Sequence, residues 1–85
     1  MNSVDPKKYN LSSRVSLQEN SLKELCIVIN RKSRIIMKDG YRLLEIAEKI
    51  KHVENKRKVK VLSSAPVCSK TKAFLDKKGL CFEAL

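Results

Sequence analysis

The fold of this chain is decided by residues 58–85, which read K-V-K-V-L-S-S-A-P-V-C-S-K-T-K-A-F-L-D-K-K-G-L-C-F-E-A-L. Val59 and Val61 alternate with lysines, which is the spacing of a strand with one apolar face. A loop follows, and Ser69 then begins a helix that ends before Gly79, the residue type best suited to a left-handed C-terminal position. The last five residues predict a second strand. The segment is therefore a β-α-β unit, whose two strands are expected to be parallel.

The sequence before this unit predicts two strands and a long helix. Residues 25–29 are apolar throughout and rich in β-branched side chains, which favours a strand buried on both faces. After a polar turn, residues 34–37 predict a return strand. From Tyr41, with Asp39 as its N-cap, apolar side chains recur at helical spacing until the pattern ends near Glu54.

A polar segment of low periodicity precedes these elements. Residues 1–15 predict a mobile N-terminal arm, and residues 16–85 predict a single domain. Two capping-box patterns indicate a short helix within residues 17–24. The alternative of one continuous helix over 17–29 is disfavoured, because the β-branched residues at its end lose side-chain freedom in a helix.

The predicted order is therefore β-β-α-β-α-β, which indicates a small α/β domain with a mixed sheet in two or three layers. Each helix is expected to join parallel strands by a right-handed crossover. The strand at 25–29 is then antiparallel to the other three strands.

Residues 58–85 also resemble the first β-α-β unit of a glutaredoxin. That family's pattern is a strand ending in Ser, a Cys-Pro-x-Cys turn, a Lys-rich helix, then Gly and Phe-Glu. The matching turn here is Ala65-Pro66-Val67-Cys68, so Ala65 takes the position of the attacking cysteine. The resemblance implies a thioredoxin-like core, circularly permuted because a β-β-α unit stands in front. It does not imply redox catalysis, because the nucleophile is missing.

The net charge of +10, from 19 basic and 9 acidic residues, indicates an anionic partner. Nucleic acid is the first expectation, an acidic protein the second and a membrane surface the third. Solubility alone is the alternative explanation of the charge. The four aromatic residues are scattered along the sequence, so no base-stacking platform is evident.

Several classes of site lack support. The three cysteines, Cys26, Cys68 and Cys81, show no Cys-x-x-Cys spacing and are accompanied by one histidine, so neither a metal nor another cofactor is expected. Two glycines cannot form a glycine-rich phosphate loop. No secretory signal or membrane-spanning apolar run is present, so a cytoplasmic protein is expected. The chain is predicted not to be an enzyme on its own.

The main functional prediction is a basic rim that binds the nucleic-acid backbone with little sequence preference, RNA and DNA being unresolved. The predicted strand directions bring three basic clusters to one end of the sheet. Their members are Arg31, Lys32, Arg34, Lys56, Arg57, Lys58, Lys77 and Lys78.

The alternative function uses the opposite end, at the loop after the third strand and the start of the second helix. A helix N-terminus with hydroxyl and lysine side chains is suited to a small anion or a partner protein, and it favours a thiolate at a cysteine. The candidate residues of this thiol-redox-like or anion site are Ser64, Cys68, Ser69, Lys70 and Thr71.

A homodimer is a further expectation. Val28, Ile36 and Leu62 are apolar residues predicted to point away from the core. If both helices pack on one face of the sheet, the other face needs a cover, either the N-terminal segment or a second copy.

Overall fold

The computed structural model describes residues 2–85 and consists of five strands, two helices and one 3₁₀ turn. The strands are β1 (Asn2–Val4), β2 (Leu17–Glu19), β3 (Leu25–Ile29), β4 (Val59–Ser63) and β5 (Cys81–Ala84). The helices are α1 (Met37–Val53) and α2 (Ser69–Lys77), and the 3₁₀ turn is Pro6–Tyr9.

The strands form one mixed sheet in the order β1-β2-β3-β4-β5. β2 pairs antiparallel with both of its neighbours, β1 and β3, whereas β3, β4 and β5 run parallel. Helices α1 and α2 are the two crossovers between the parallel strands and pack against each other. Right-handed crossovers that proceed in one direction along a sheet place their helices on the same face. The domain is therefore a two-layer α/β structure, and the predicted fold class is confirmed.

The core lies between the sheet and the two helices. Ile27 of β3 stands opposite Val61 of β4, and both are buried. Ile50 of α1 and Leu75 of α2 are completely buried above them. Apolar burial of this kind contributes about 25 cal/mol per Å² removed from water, which makes this layer the main source of stability.

The predicted return strand at residues 34–37 is wrong. Ile35 is buried and makes a single parallel bridge to Val67, but it belongs to no strand. Ile36, the next residue, is already the N-cap of α1. The Asp39 carboxylate accepts a hydrogen bond of 3.0 Å from the Ile36 backbone N–H. Asp39 thus stabilises the helix start, as expected, but from inside the first turn, so that α1 begins at Met37.

The place beside β3 that was predicted for the return strand is taken by β2. The short helix predicted within 17–24 is therefore wrong. The Asn20 side chain accepts hydrogen bonds from the backbone N–H groups of Leu22 and Glu24, and Lys23 has a φ of 65°. These contacts form a tight turn between β2 and β3, and asparagine side chains favour such turns over helices.

The segment predicted to be an arm outside the domain is placed against it. β1 pairs with β2, and Tyr9 is buried, with its hydroxyl donating a 2.7 Å hydrogen bond to Glu54. Leu11 is buried as well. Residues 2–15 thus contribute to the sheet and the core, and the boundary expected at residue 16 does not separate them from the domain.

Strand direction follows from these differences. Because no return strand intervenes, β3 connects directly through α1 to β4 and is parallel to it, not antiparallel as predicted. Within residues 2–85, neither helix has the length and apolar character needed to cross a membrane.

Candidate nucleic-acid interface

The predicted basic rim is divided between the two ends of the parallel strands. Arg31, Lys32 and Arg34 follow β3 and lie at the carboxyl end of the sheet. The other five predicted residues precede β4 or β5 and lie at the amino end; they are Lys56, Arg57, Lys58, Lys77 and Lys78. The convergence predicted for the three clusters is therefore wrong, because it required β3 to be antiparallel to β4.

Two of the eight predicted residues are engaged in ion pairs that hold the fold together. The Arg31 guanidinium lies 2.6 Å from the Asp39 carboxylate. Arg57 bridges Glu19 of β2 and Glu54 at the end of α1. The other six residues are exposed and, among residues 2–85, form no ion pair.

The structure adds cations to the carboxyl end that the rim prediction did not include. Arg14 precedes β2, Lys38 and Arg42 lie in the first turns of α1, and Lys70 lies in the first turn of α2. All are exposed and, in the part of the chain that the structure describes, make no ion pair. We define the carboxyl-end surface by six exposed cations of this end: Arg14, Lys32, Arg34, Lys38, Arg42 and Lys70.

A cleft opens beside the carboxyl-end surface. It lies between α1 on one side and, on the other, the end of β3 and the segment that precedes β2. Its volume is about 320 Å³, and Arg14 and Arg42 line it from opposite sides. The Arg31–Asp39 pair also lines it. The pKa of Asp39 is lowered, chiefly by its hydrogen bond from Arg31 and then by the Ile36 N–H, with a smaller contribution from Lys38. The carboxylate therefore stays ionised and compensates Arg31, whereas Arg14 and Arg42 remain uncompensated.

The residues of the alternative site also lie at the carboxyl end. The Ser64 hydroxyl accepts a hydrogen bond of 3.1 Å from the Arg31 backbone N–H and donates one of 2.9 Å to Asn30 Oδ1, so it connects the loops after β3 and β4. Cys68 is the residue before α2, and Ser69 and Lys70 are exposed in the first turn of this helix. Thr71 is completely buried against Gly40 of α1.

Gly40 allows the close approach of the two helices. A Cβ atom added at Gly40 would lie 2.9 Å from Thr71 Cγ2, closer than van der Waals contact permits. This contact places the N-terminal turns of α1 and α2 side by side at the carboxyl end of the sheet.

The position of Cys68 before α2 lowers the pKa of its thiol. Backbone N–H groups of Thr71 and then Lys70 face the sulphur and lower the pKa of Cys68, and Arg34 adds a smaller effect. Burial raises the pKa of the Cys26 thiol. Because the thiolate is the reactive form, Cys68 and Cys26 are expected to differ in reactivity.

We expect iodoacetamide at pH 7 to alkylate Cys68 faster than Cys26 in the folded protein. Because the pKa of Cys68 is lowered, its thiolate is present at lower pH. The pH at which the alkylation rate of Cys68 reaches half of its maximum should therefore lie below that of a free cysteine peptide. Peptide mass spectrometry over a time course measures each site. Faster labelling of Cys26 than of Cys68 would contradict the described placement of both residues.

The amino end is electrostatically mixed. Lys56 and Lys58 line a cavity of about 570 Å³ there, together with the carboxylates of Glu24 and Glu83. Both carboxylates pair with Lys60, at 3.2 Å and 2.7 Å. The lysines of this end therefore face a surface on which negative charge is interspersed.

The sheet face opposite the helices is partly apolar. Val28 and Leu62 stand opposite each other on it and are half-buried. Lys60 and its two carboxylate partners cross the same face. Ile36 lies in the β3–α1 connection instead and is exposed. A second copy covering this face stays a prediction.

Among residues 2–85, no three His, Cys, Asp or Glu side chains are grouped as metal ligands. The single histidine, His52, is exposed near the end of α1, far along the helix from the carboxyl-end surface.

Comparison of the sequence with protein families and with curated proteins finds no match. Two solved structures share the fold. EndoMS in its apo form superposes with a TM-score of 0.66 over 82% of this chain at 20% identity. EndoMS in a complex with double-stranded DNA superposes with a TM-score of 0.73 over 99% of this chain at 16% identity.

This chain spans about a third of each EndoMS chain, 33% and 36% respectively. At these identities the likeness establishes a common fold. The glutaredoxin resemblance of residues 58–85 is not tested by either superposition and stays a prediction.

Proposed function

We propose that this chain binds the phosphate backbone of nucleic acid through the carboxyl-end surface, with little sequence preference and without catalysing a reaction. One observation carries the proposal. Six exposed cations from four separate segments share one end of the sheet with the N-terminal turns of both helices.

The physical basis is charge neutralisation. Lysine and arginine side chains displace counterions condensed on the phosphates, which makes binding favourable and strongly dependent on salt. Helix N-termini add partial positive charge and unpaired backbone N–H donors, both of which suit phosphate oxygens. The fold likeness to EndoMS, which has been solved with double-stranded DNA, agrees with this proposal.

The carboxyl end is preferred over the amino end because its positive charge is less compensated. At the carboxyl end, Asp39 neutralises Arg31 and leaves the six cations of the surface unpaired. Near the amino end, Glu19, Glu24 and Glu54 lie among the lysines and hold the ion pairs described above. Phosphate approaching that end would meet repulsion as well as attraction.

The absence of catalysis is supported by residue types. Ala65 occupies the nucleophile position of the local glutaredoxin pattern, and it is buried. At the carboxyl end the candidate nucleophile is Cys68, and no histidine accompanies it because His52 lies at the other end of α1. A general base within hydrogen-bond reach is the usual partner of a catalytic nucleophile.

The test is a titration of the full chain with mixed-sequence DNA and RNA at 50 and 200 mM salt. The variant Lys32→Ala/Lys38→Ala/Arg42→Ala removes three predicted phosphate contacts and should flatten the log–log salt slope by about 2.7 for duplex DNA. Over that fourfold salt range, the affinity of the unmodified chain should therefore fall roughly 40-fold more than that of the variant.

The matched control is Lys56→Ala/Lys58→Ala/Lys77→Ala, which makes the same charge change with three exposed, unpaired lysines of the amino end. This control should keep the original slope. Equal flattening in both variants would show that binding follows net charge and not the carboxyl-end surface. Arg31 and Arg57 are unsuitable for such a test, because their ion pairs stabilise the fold.

A small-anion or partner-protein site at the start of α2 is the second candidate function. Two observations favour it. The backbone N–H groups of Lys70 and Thr71 face the Cys68 sulphur, and no side-chain hydrogen bond caps the start of α2. Replacing Cys68 by Ser should alter binding at this site and leave the salt slope for nucleic acid unchanged.

A further inference from the structure

Tyr41 is a large exposed aromatic side chain that shares a cavity with Lys38 and Arg42 of the carboxyl-end surface. It lies in α1 between Lys38 and Arg42, and 59% of its surface is accessible to solvent. Its ring makes an edge-to-face contact with Phe74 of α2, with the ring centroids 5.1 Å apart and the planes at 77°. This contact restricts the ring while a large part of it stays in solvent, so two of the four aromatic residues, which are scattered in sequence, form a pair in the fold.

A cavity of about 490 Å³ lies beside this ring, between α1 and the segment before β2. Its apolar lining consists of Leu11, Val15 and Ile46. Tyr41 also lines it, and the charged lining consists of Lys38, Arg42 and the Glu45–Lys49 ion pair. Cavities of about 300–1,000 Å³ are typical of small-ligand sites, in which polar and charged side chains fix the orientation of the ligand.

The chemistry of these groups matches a nucleotide. A planar base can stack on the tyrosine ring and cover the apolar lining, while the phosphates contact Lys38 and Arg42. The Glu45 carboxylate, which lies 3.9 Å from the Lys49 ammonium, can also accept a hydrogen bond from an amino group of the base. Within a duplex both faces of each base are already stacked, so this contact requires an unpaired base.

We infer that Tyr41 and the adjoining cavity bind an unpaired nucleotide of a nucleic-acid strand, and that they give the carboxyl-end surface a preference for single strands over duplex. This inference rests on the proposed function, because the phosphates must be held by the same surface. Base stacking on an aromatic side chain tolerates any sequence, so it agrees with weak sequence preference.

The experiment compares the binding of a fluorescein-labelled single-stranded oligonucleotide with that of the duplex of the same sequence, in DNA and in RNA. Loss of one stacked base is worth about 5- to 150-fold in affinity. Tyr41→Ala should therefore weaken single-strand binding by that factor and change duplex binding less than twofold. Tyr41→Phe keeps the ring and should retain the original affinity.

A direct readout of stacking comes from tyrosine fluorescence. The chain has two tyrosines and no tryptophan, so in a Tyr9→Phe background Tyr41 is the sole strong emitter. An unlabelled single strand should quench this emission, and the duplex should leave it nearly unchanged. A titration with the mononucleotide alone, to millimolar concentration, tests whether the cavity binds a nucleotide without the rest of the strand. Quenching by the mononucleotide would show that the cavity is sufficient for binding.

The two proposals fail in different ways. If the unmodified chain binds neither strand nor duplex at low salt, the proposed function is wrong and this inference with it. If the Lys32/Lys38/Arg42 variant flattens the salt slope but Tyr41→Ala affects strand and duplex equally, or neither, only the stacking inference is wrong. Circular dichroism of Tyr41→Ala checks that the exposed substitution leaves the fold intact.

Discussion

Replacing Tyr9 by Ala should lower the free energy of unfolding by about 3–5 kcal/mol, the usual cost of deleting a buried aromatic side chain. Tyr9 is only 1% exposed, and its hydroxyl donates to Glu54, which also contacts Arg57 and Lys8. The side chain therefore connects the segment before β2 to the end of α1. Urea unfolding followed by circular dichroism measures the loss.

Tyr9→Phe keeps the ring and removes the hydrogen bond to the carboxylate, so its expected cost is smaller, about 1.5–3 kcal/mol. This variant also serves if Tyr9→Ala does not fold. A Tyr9→Ala protein with unchanged stability would mean that residues 2–15 are an arm outside the domain after all.

The same pair of residues predicts how stability changes with pH. Burial and the hydrogen bond to Glu54 raise the pKa of Tyr9 to about 12 from 10.0. A raised folded-state pKa gives stability that is complete below the unfolded value and is lost as pH rises, here between about 10 and 12. Tyr9→Phe should lack this alkaline decline.

At the acid side the sign is opposite. The Tyr9 hydroxyl, Lys8 and Arg57 lower the pKa of Glu54 below its ordinary 4.5. Its stabilising effect is present above that value and is lost as pH falls through the folded pKa. Urea midpoints measured from pH 3 to 12 on the original chain and on Tyr9→Phe separate the two groups.

Ile35→Ala is expected to cost about 2–5 kcal/mol, because the side chain is completely buried and its removal leaves a cavity. The residue lies outside every strand and helix, yet it bridges to Val67 and fills the space under the β3–α1 connection. Hydrogen bonds between Ile35 N–H and Pro66 O, and between Cys68 N–H and Ile35 O, hold it there at 2.8 and 2.9 Å.

The neighbouring residue provides a matched control with the same chemistry. Ile36 is 50% exposed, so Ile36→Ala should change the stability by no more than about 0.5 kcal/mol, apart from a small effect on the start of α1. Equal losses at both positions would contradict the described burial of the connection. Urea unfolding of the two variants under one condition makes the comparison.

The contrast between Ile35 and Ile36 also shows why one strand was mispredicted. Two β-branched residues after a turn have the composition of a strand, and neither residue carries a signal of what occupies the neighbouring place in the sheet. The competing signal was Asp39, whose carboxylate reaches the Ile36 N–H and begins the helix early. β2 then takes the place beside β3, although its sequence has the capping pattern of a helix.

This single difference changed the candidate site. A return strand would have reversed the chain once more and brought Lys56, Arg57 and Lys58 to the same end as Arg31. Without it, β3 and β4 are parallel, and the cations after β3 are joined instead by Arg14, Lys38, Arg42 and Lys70. The number of chain reversals decides at which end of the sheet a loop lies. Local sequence patterns do not give that number reliably, because each reversal depends on which strands pair in the tertiary structure.

The sequence by itself determined those elements for which the local pattern of apolar residues predicts the same structure that the folded domain contains. These are β3, α1 after its first turn, β4, α2 and β5, together with the parallel crossover and the large positive charge. Apolar spacing, caps and turn residues are short-range properties, and they are present in the sequence itself.

Only the tertiary structure decided which cations share a surface, which of them are neutralised, and where Tyr9 and Tyr41 lie. Arg57 resembles its basic neighbours in sequence but is held by Glu19, 38 residues away. Tyr41 meets Phe74 across the α1–α2 contact that Gly40 permits. Such contacts join residues far apart in sequence, and their formation depends on the packing of the whole domain.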